Sequence, residues 1–462
     1  MIQSMFLYKR VCLAILSIGL TMTSCTKLIE IPSNPKNQLV ADRVFSDSAN
    51  IIAAVAGVYS NFATASSYPQ FASGLITINT GLTADELVVG PNAFGVTDFY
   101  NNTISPDNSI IRSMWSDAYK NIFQINLCIE GVTGTNAISA KLKSQLIGEL
   151  KVDRALYYYY MMNIWGAVPV ITSTDYNVTQ KVGRSSVSEV LSFILSDLKD
   201  AQQGLASTYP SAGRKRPNLY VAEALLSKVY LYLGQYQNAI TAASSVISAP
   251  LYQLEALNSV FLSGSKEAIW QLPANGTYQQ TPEGASFIPF SSDYQPDYML
   301  SPQLLNAFEA NDPRLTAWTG VNTVDSTDYY YPYKYKNNSP DQTPLEDYMI
   351  LRLADIYLVR AEAAAQLDKY PEALADLNKI RDRAMDRADI STTVKSELLQ
   401  AILHERQVEL FCEWGNRWID LKRTKRIDAV LSVAKPSWKS SAALFPIPIN
   451  ELQANPNLYP NP

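Results

Sequence analysis

Residues 220–236 read YVAEALLSKVYLYLGQY, and this stretch indicates the fold. Small residues such as Ala222 and Ala224 alternate with larger apolar ones at helical spacing, and a Gly-Gln turn precedes Tyr236. This pattern is typical of a tetratricopeptide hairpin, in which small side chains let two helices cross closely. We therefore predict a helical hairpin over 219–249.

A second stretch, 351–374, reads LRLADIYLVRAEAAAQLDKYPEAL and repeats the pattern. Aligning Tyr236 with Tyr370 also aligns the alanine and the aliphatic residue that follow each tyrosine, so we predict another hairpin over 348–384. About three stacked units are normally needed to bury a continuous core. Other helices must therefore complete the stack, and the apolar segments 147–165 and 397–414 are the candidates.

The segments between these helices differ in composition. Residues 66–112 and 265–345 are rich in Gly, Pro, Asn, Ser and Tyr and lack sustained helical periodicity. We interpret them as large irregular loop insertions, with a few short strands, in a mainly α single domain over 25–462. Loops on a rigid helical scaffold are where binding groups tend to lie.

The N-terminus predicts export. Lys9 and Arg10 precede an apolar run over 11–22 that suits a signal-peptide core and is short for a membrane span. The following MTSC at 22–25 is the pattern at which bacterial lipoproteins are acylated and cleaved. We expect a signal peptide over 1–24 and a lipid on Cys25; ordinary secretory cleavage that leaves Cys25 as a thiol is the alternative.

Composition argues against several functions. Thirty-eight Lys+Arg against 43 Asp+Glu give a net charge of −5, which does not favour nucleic acid as a partner. His404 is the only histidine, which excludes a zinc site of two or three imidazoles. It lies in a helical pattern without a GxSxG signature, so we expect a structural role. Neither GxxxxGK[ST] nor GxGxxG is present, so nucleotide binding has no support.

Cys128 and Cys412 both fall in apolar helical patterns, where an unpaired cysteine behaves as a small buried hydrophobe. A disulfide between them stays possible but is the less favoured interpretation. We expect no cofactor and no metal site; a calcium ion is unsupported but stays open.

A series of motifs covers nearly the whole mature chain. In chain order they are DRVF (42–45), AAVAGVY (53–59), RALYYYY (154–160), IWGAVPV (164–170), LRLADIYLVRAEA (351–363), LNKIR (377–381), ERQVEL (405–410), RWIDL (417–421) and FPIPI (445–449). The series resembles the SusD/RagB family of outer-membrane lipoproteins. The resemblance implies a SusD-like fold and a cell-surface location, and a protein that lids a SusC-like TonB-dependent transporter and delivers glycans, or occasionally other nutrients, into it.

Several of these residues suit a structural role. Glu405, Glu409 and Glu413 recur at i, i+4 spacing, and they predict an ion network between helices. Nearby cations are Arg406, Arg417, Lys422 and Arg423. Tyrosines 157–160 point round a whole helix, so at least half must pack inward. The alternating tyrosines of 329–335 suit a strand with one buried face.

The candidate ligand-binding residues are aromatic and polar side chains of the insertions, because aromatic rings offer flat faces to sugar C–H groups and polar groups bind hydroxyls. They are Phe94, Tyr100, Tyr278, Phe287, Phe290, Tyr294 and Trp318, with Asp85 and Glu86. Two other functions stay open: a glycosidase that uses a carboxylate pair, and a protein-interaction scaffold without a small ligand.

Overall fold

The computed structural model describes residues 41–60, 69–274, 280–338, 342–385 and 389–461, and it is mainly helical with a few short strands. The helices are α1 (Ala41–Val44), α2 (Ser48–Ser60), α3 (Leu75–Thr83), α4 (Thr97–Tyr100), α5 (Ser109–Gly134), α6 (Ala140–Trp165), α7 (Tyr176–Thr179), α8 (Val187–Gly204), α9 (Leu219–Tyr232), α10 (Tyr236–Ile247), α11 (Pro282–Phe287), α12 (Pro302–Leu305), α13 (Pro313–Ala317), α14 (Leu353–Gln366), α15 (Tyr370–Ala384), α16 (Lys395–Glu409), α17 (Asn416–Arg423), α18 (Ile427–Ala434) and α19 (Ile449–Ala454). Short 3-10 turns occur at Ala212–Arg214, Leu257–Ser259 and Ser440–Ala443.

The strands form antiparallel pairs. They are β1 (Leu87–Val89) with β3 (Tyr298–Leu300), β2 (Ala268–Pro273) with β6 (Asp347–Arg352), and β4 (Thr319–Val324) with β5 (Thr327–Pro332). Because β1 and β3 come from different insertions, their pairing joins the two insertions at one place.

The predicted hairpins are present as α9–α10 and α14–α15, and they pack on each other through α10 and α14. Asn218 starts α9 by accepting hydrogen bonds from the backbone N–H groups of Tyr220 and Val221. Gly234, at φ 70°, allows the tight turn into α10. α5, α6 and α8 extend the stack on one side, and α16 packs against α14 on the other. Helix α6, which contains 147–165, and helix α16, which contains 397–409, therefore pack in the stack together with α5 and α8, which were not predicted.

Helix α6 runs through the centre of the protein. The tyrosines of its run 157–160 are all at most 2% exposed, so all four pack inward, where the prediction was at least half. Neighbouring helices cover α6 on every side, so its second half is buried without an amphipathic pattern.

Several predicted bounds differ from the structure: α6 begins at Ala140, ahead of 147, and α16 ends at Glu409, short of 414. Residues 347–352 form strand β6, which is fully buried and paired with β2, and α14 starts only at Leu353. A short apolar run buried on both faces has no period that separates a strand from a helix. The insertion 66–112 contains α3, whose residues are all buried, so no amphipathic pattern marked it as a helix.

The predicted ion network exists, but its cations differ from the predicted ones. Glu405, Glu409 and Glu413 bind cations from other elements, namely Arg314, Lys334, Arg352, Arg381 and Arg383. The cations near them in sequence pair elsewhere: Arg406 with Asp355 and Asp420, Arg417 with Asp85, Arg423 with Glu362 and Asp420, and Lys422 with the Asn163 carbonyl. Adjacent helical residues point to different sides, so closeness in sequence did not identify the partners.

His404 and the two cysteines, Cys128 and Cys412, contact other parts of the fold. His404 Nε2 lies 2.7 Å from the Ala307 carbonyl oxygen. Cys128 and Cys412 are buried and not bonded to each other. Among the helices described, none combines the length and hydrophobicity that a bilayer crossing requires.

Candidate functional site

The β1–β3 ladder brings two loops to one edge of the protein. Val89 pairs with Tyr298, so the loop that follows β1 and the loop that precedes β3 leave the ladder at the same end. The Gly90 N–H donates to the Asp297 carbonyl at 2.7 Å and extends the ladder by one rung. A Cβ at Gly90 would lie 2.0 Å from the carbonyl oxygen of Pro296. Only glycine therefore allows the two loops to come this close.

The β4–β5 hairpin holds the second loop in place. Its two-residue turn has positive φ at Asp325 (49°) and Ser326 (64°), as the type I′ turns of tight hairpins require. The side-chain amide of Asn322 on β4 donates to the carbonyls of Ser291 (2.9 Å) and Tyr294 (2.8 Å). The loop around Tyr294 is thereby fixed to a strand.

Helix α11 is attached to the core through Glu283. The carboxylate oxygen Oε1 of Glu283 accepts hydrogen bonds from the hydroxyls of Thr77 (3.0 Å) and Tyr348 (2.9 Å). Burial raises the pKa of Glu283 to about 7, although these two hydroxyls oppose the increase. The rest of α11 is free to line the space next to it.

Beside the loop that precedes β3, α11 lines a cavity of about 520 Å³. This volume is within the range of small-molecule pockets. Its polar lining comes from Gln280, Ser286, Asp297 and Asn338, and its aromatic lining from Phe287, Phe290 and Tyr294. Burial raises the pKa of the Asp297 carboxyl. Rings with amide, hydroxyl and carboxyl groups around them can bind the C–H faces and hydroxyls of a sugar.

Two family models match the chain in separate segments. One, described as the SusD family, matches residues 313–462. The other, described as starch-binding associating with outer membrane, matches residues 37–231. The chain belongs to the SusD/RagB family.

Curated members of the SusD family match along most of their length. SusD-like protein P25 of Formosa agariphila is 26% identical over 94% of this chain and 95% of its own length. A SusD-like protein of Bacteroides ovatus is 25% identical over 71% of this chain and 68% of its own length.

Solved SusD-like structures share the fold. A SusD superfamily protein from Bacteroides vulgatus matches with a TM-score of 0.80 at 19% identity, over 90% of this chain and 98% of its own. A protein described as a laminarin-binding SusD-like protein matches with a TM-score of 0.75 at 24% identity, over 90% of this chain and 99% of its own. Because both structures are at most 24% identical to this chain, their similarity establishes a shared fold and nothing about the ligand.

Among the predicted ligand residues of this SusD-family chain, those with exposed rings come from the two loops. Phe94 at the tip of the loop after β1 is 85% exposed, Phe290 is 98% exposed and Tyr294 is 46% exposed. We name these three residues the aromatic face. Tyr278 lies outside the described residues.

Four other predicted residues are buried, and three of them, Trp318, Asp85 and Glu86, offer no surface to a ligand. Trp318 is 0% exposed and donates its indole N–H to the Leu257 carbonyl at 3.0 Å. Asp85 forms an ion pair with Arg417, and Glu86 accepts a hydrogen bond from the Cys412 N–H; burial raises the pKa of Glu86 to about 8. Phe287 is a buried part of the cavity wall and packs edge-on against another ring. The predictions for Trp318, Asp85 and Glu86 are corrected because these residues serve the core.

Tyr100 is half-buried at the end of α4. The Lys435 ammonium lies 3.7 Å from the centre of its ring and donates to the Leu82 carbonyl. Burial lowers the pKa of Lys435 to about 7. Because this contact occupies the ring, Tyr100 is not part of the aromatic face.

The polar groups of the cavity were not predicted from the sequence. Gln280, Ser286, Asp297 and Asn338 lie in the insertion that had been singled out, but nothing in their spacing distinguishes them from other polar loop residues. Asp297 was the easiest of the four to predict, because it lies in sequence between the predicted ligand residue Tyr294 and strand β3.

Proposed function

We propose that this SusD-family chain is a non-catalytic glycan-binding protein and that its aromatic face is the binding surface. The observation that carries the proposal is a cavity lined by the exposed rings of Phe290 and Tyr294 and by polar groups, at the end of the β1–β3 ladder from which the loop of Phe94 also leaves. Contiguous exposed apolar patches mark ligand-binding grooves or interaction sites, whereas single exposed hydrophobic residues do not. The laminarin-binding protein of the same fold supports the ligand class.

Replacing Phe290 and Tyr294 together by alanine should weaken glycan binding by at least tenfold, roughly the loss expected for central aromatic contacts. The measurement is isothermal titration calorimetry of the mature protein, with Cys25 removed, against oligosaccharides selected by an affinity-gel screen of polysaccharides and peptides. Tyr176, which is 71% exposed on α7, provides the matched control, because Tyr176→Ala removes an exposed ring outside the aromatic face.

Undiminished binding in the double variant would show that the aromatic face is not the site. Release of shorter products during the titration would instead favour the glycosidase. A protein that binds none of the glycans or peptides would favour the interaction scaffold.

We also propose that a lipid on Cys25 holds the protein at the outer membrane, where it passes glycans to a SusC-like TonB-dependent transporter. Cys25 lies outside the described residues. The chain with Cys25→Ser should leave the outer-membrane fraction, and wild-type protein should co-purify with a TonB-dependent barrel after detergent extraction. Equal membrane retention of both forms, or purification without a barrel, would contradict this proposal.

A further inference from the structure

We infer that the aromatic face selects uncharged glycans and rejects polyanionic ones that carry uronate or sulfate groups. The inference rests on the proposed function and concerns the ligand class of the same site. It follows from the distribution of charge in the two insertions that build the face.

Cations are missing from the segments that supply the aromatic face. The sequence has no Lys or Arg between Arg43 and Arg112, and Arg314 is the only one from 267 to 333. Arg314 is 0% exposed and is bound by Asp312, Glu405 and Glu409 in the core. These segments therefore bring no exposed positive charge to the site.

The same segments bring several carboxylates. Asp98, Asp107, Asp293, Asp325 and Asp328 are exposed, and Asp297 lines the cavity. Within the described ranges, none of these six forms an ion pair; their partners, where present, are neutral, such as Asn108 for Asp98 and Thr323 for Asp328. Among the described residues, the negative charge that these two segments carry at the six aspartates is thus not neutralised by ion pairs.

Cations in the flanking segments are directed elsewhere. Lys334 is buried and its ammonium binds Glu413 and the Glu409 carbonyl. The Lys336 ammonium donates to Asn258 at 3.3 Å and lines a different cavity. Arg112 stands two positions after Ile110, which contacts the loop at Gly95, and residues at i and i+2 point to different sides of a helix.

This charge pattern disfavours anionic glycans because it offers them no cation to bind. A uronate or sulfate that enters the site gives up water without gaining a charge-assisted hydrogen bond from a cation. It also approaches carboxylates of the same sign, which is a repulsive element of the kind that produces specificity. Sugar hydroxyls, in contrast, can donate to those carboxylates. Repulsion between exposed charges is screened over about 8 Å at physiological ionic strength, so it should weaken as salt is added.

The experiment compares one polymer with and without charge. The mature protein is titrated with a neutral glucan, such as laminarin, and with the same glucan after oxidation of its primary hydroxyls to carboxylates. We expect the oxidised polymer to bind at least tenfold more weakly at low salt, a difference of about 1.4 kcal/mol. The difference should narrow in added salt and in Asp293→Asn/Asp328→Asn.

A groove with basic residues elsewhere on the protein requires a control. Lys425 and Arg426 line a groove of about 730 Å³ between the helical hairpins and the end of α17. The titration is therefore repeated in Lys425→Ala/Arg426→Ala, so that polyanion binding in this groove is not attributed to the aromatic face.

The outcomes separate the two proposals. Polyanions that bind as tightly as neutral glycans, through a contact that Phe290→Ala removes, would overturn the charge selection and leave the glycan-binding function standing. Neutral glycans whose binding survives the loss of Phe290 and Tyr294 would overturn the site and the selection together, as would no binding of either polymer.

Discussion

Replacing Arg352 by methionine should lower the free energy of unfolding by about 3–5 kcal/mol, the usual cost of removing one partner from a buried ion network. Arg352 is the last residue of β6 and is 2% exposed. Its guanidinium donates to Glu413 at 2.7 and 2.8 Å, to Glu409 at 2.6 Å and to Glu267 at 2.9 Å.

Methionine fills much of the same space but donates no hydrogen bond. The buried carboxylates would keep only their other cations, Arg314, Arg383 and Lys334. The loss comes mainly from buried carboxylate oxygens that lose a charge-assisted hydrogen bond which water cannot replace. Urea unfolding followed by tryptophan fluorescence measures the change.

The network also predicts sensitivity to acid. Burial would raise the pKa of Glu409, but Arg383, Arg352 and Arg314 outweigh burial and hold it well below the ordinary value of 4.5. A depressed folded-state pKa stabilises the fold above the unfolded-state value, and this stability is lost as the pH falls. Wild-type stability should therefore decrease as the pH drops below about 4.5.

An exposed ion pair provides the control. Lys395 and Asp368 are 3.1 Å apart, with side chains 38% and 63% exposed. Lys395→Ala should cost less than about 1 kcal/mol, because water solvates both charges. If Arg352→Met were as mild as this control, the buried network would contribute nothing net to stability.

Sequence patterns predicted the helical hairpins because their small residues and turns follow a fixed spacing. They did not predict α3 or β6, because segments that are buried on all sides show no contrast between faces. The same limit applied at the site. Phe290 and Trp318 were equivalent aromatic residues in one insertion, yet the first is 98% exposed and the second 0%.

What separates these two rings is long-range contact. Trp318 is covered by Phe261 and by the side chain of Lys334. The loop that carries Phe290 is held outward by the pairing of β1 with β3 and by the amide of Asn322. Neither arrangement leaves a local signal in the sequence, so exposure could not be assigned to individual residues.

Replacing Asp153 by asparagine should stabilise the protein at neutral pH by about 1–3 kcal/mol, because asparagine cannot ionise and so avoids the cost of a buried carboxylate without a partner. Asp153 lies in the middle of α6 and is 0% exposed. Neither carboxyl oxygen has a hydrogen-bonding partner among the described residues. Burial, and then the charge of Glu149, raises the pKa of Asp153 well above its ordinary value of 3.8.

The sign of the effect depends on pH. Because the pKa of the Asp153 carboxyl is higher in the folded state than in the unfolded state, the folded protein holds this proton more tightly. The stability of the wild type is therefore greatest below pH 3.8 and falls as the pH rises toward the folded-state pKa. Asparagine does not titrate, so the stability of the variant lacks this pH dependence. The variant should match wild type near pH 4 and then gain on it by up to about 1.4 kcal/mol per pH unit.

Glu149, one turn earlier on α6, is the matched control for Asp153, because it is a buried carboxylate that has hydrogen-bonding partners. Its carboxylate is as buried as that of Asp153, but it accepts hydrogen bonds from Tyr59 at 2.6 Å and from Arg216 at 2.7 and 2.8 Å. Glu149→Gln should therefore destabilise the protein, while Asp153→Asn stabilises it, in urea unfolding at pH 7.5. Burial is common to both residues, so opposite signs would assign the difference to hydrogen bonding. If Asp153→Asn were destabilising at every pH, the Asp153 carboxyl must have a partner in solution, and the expected gain would be refuted.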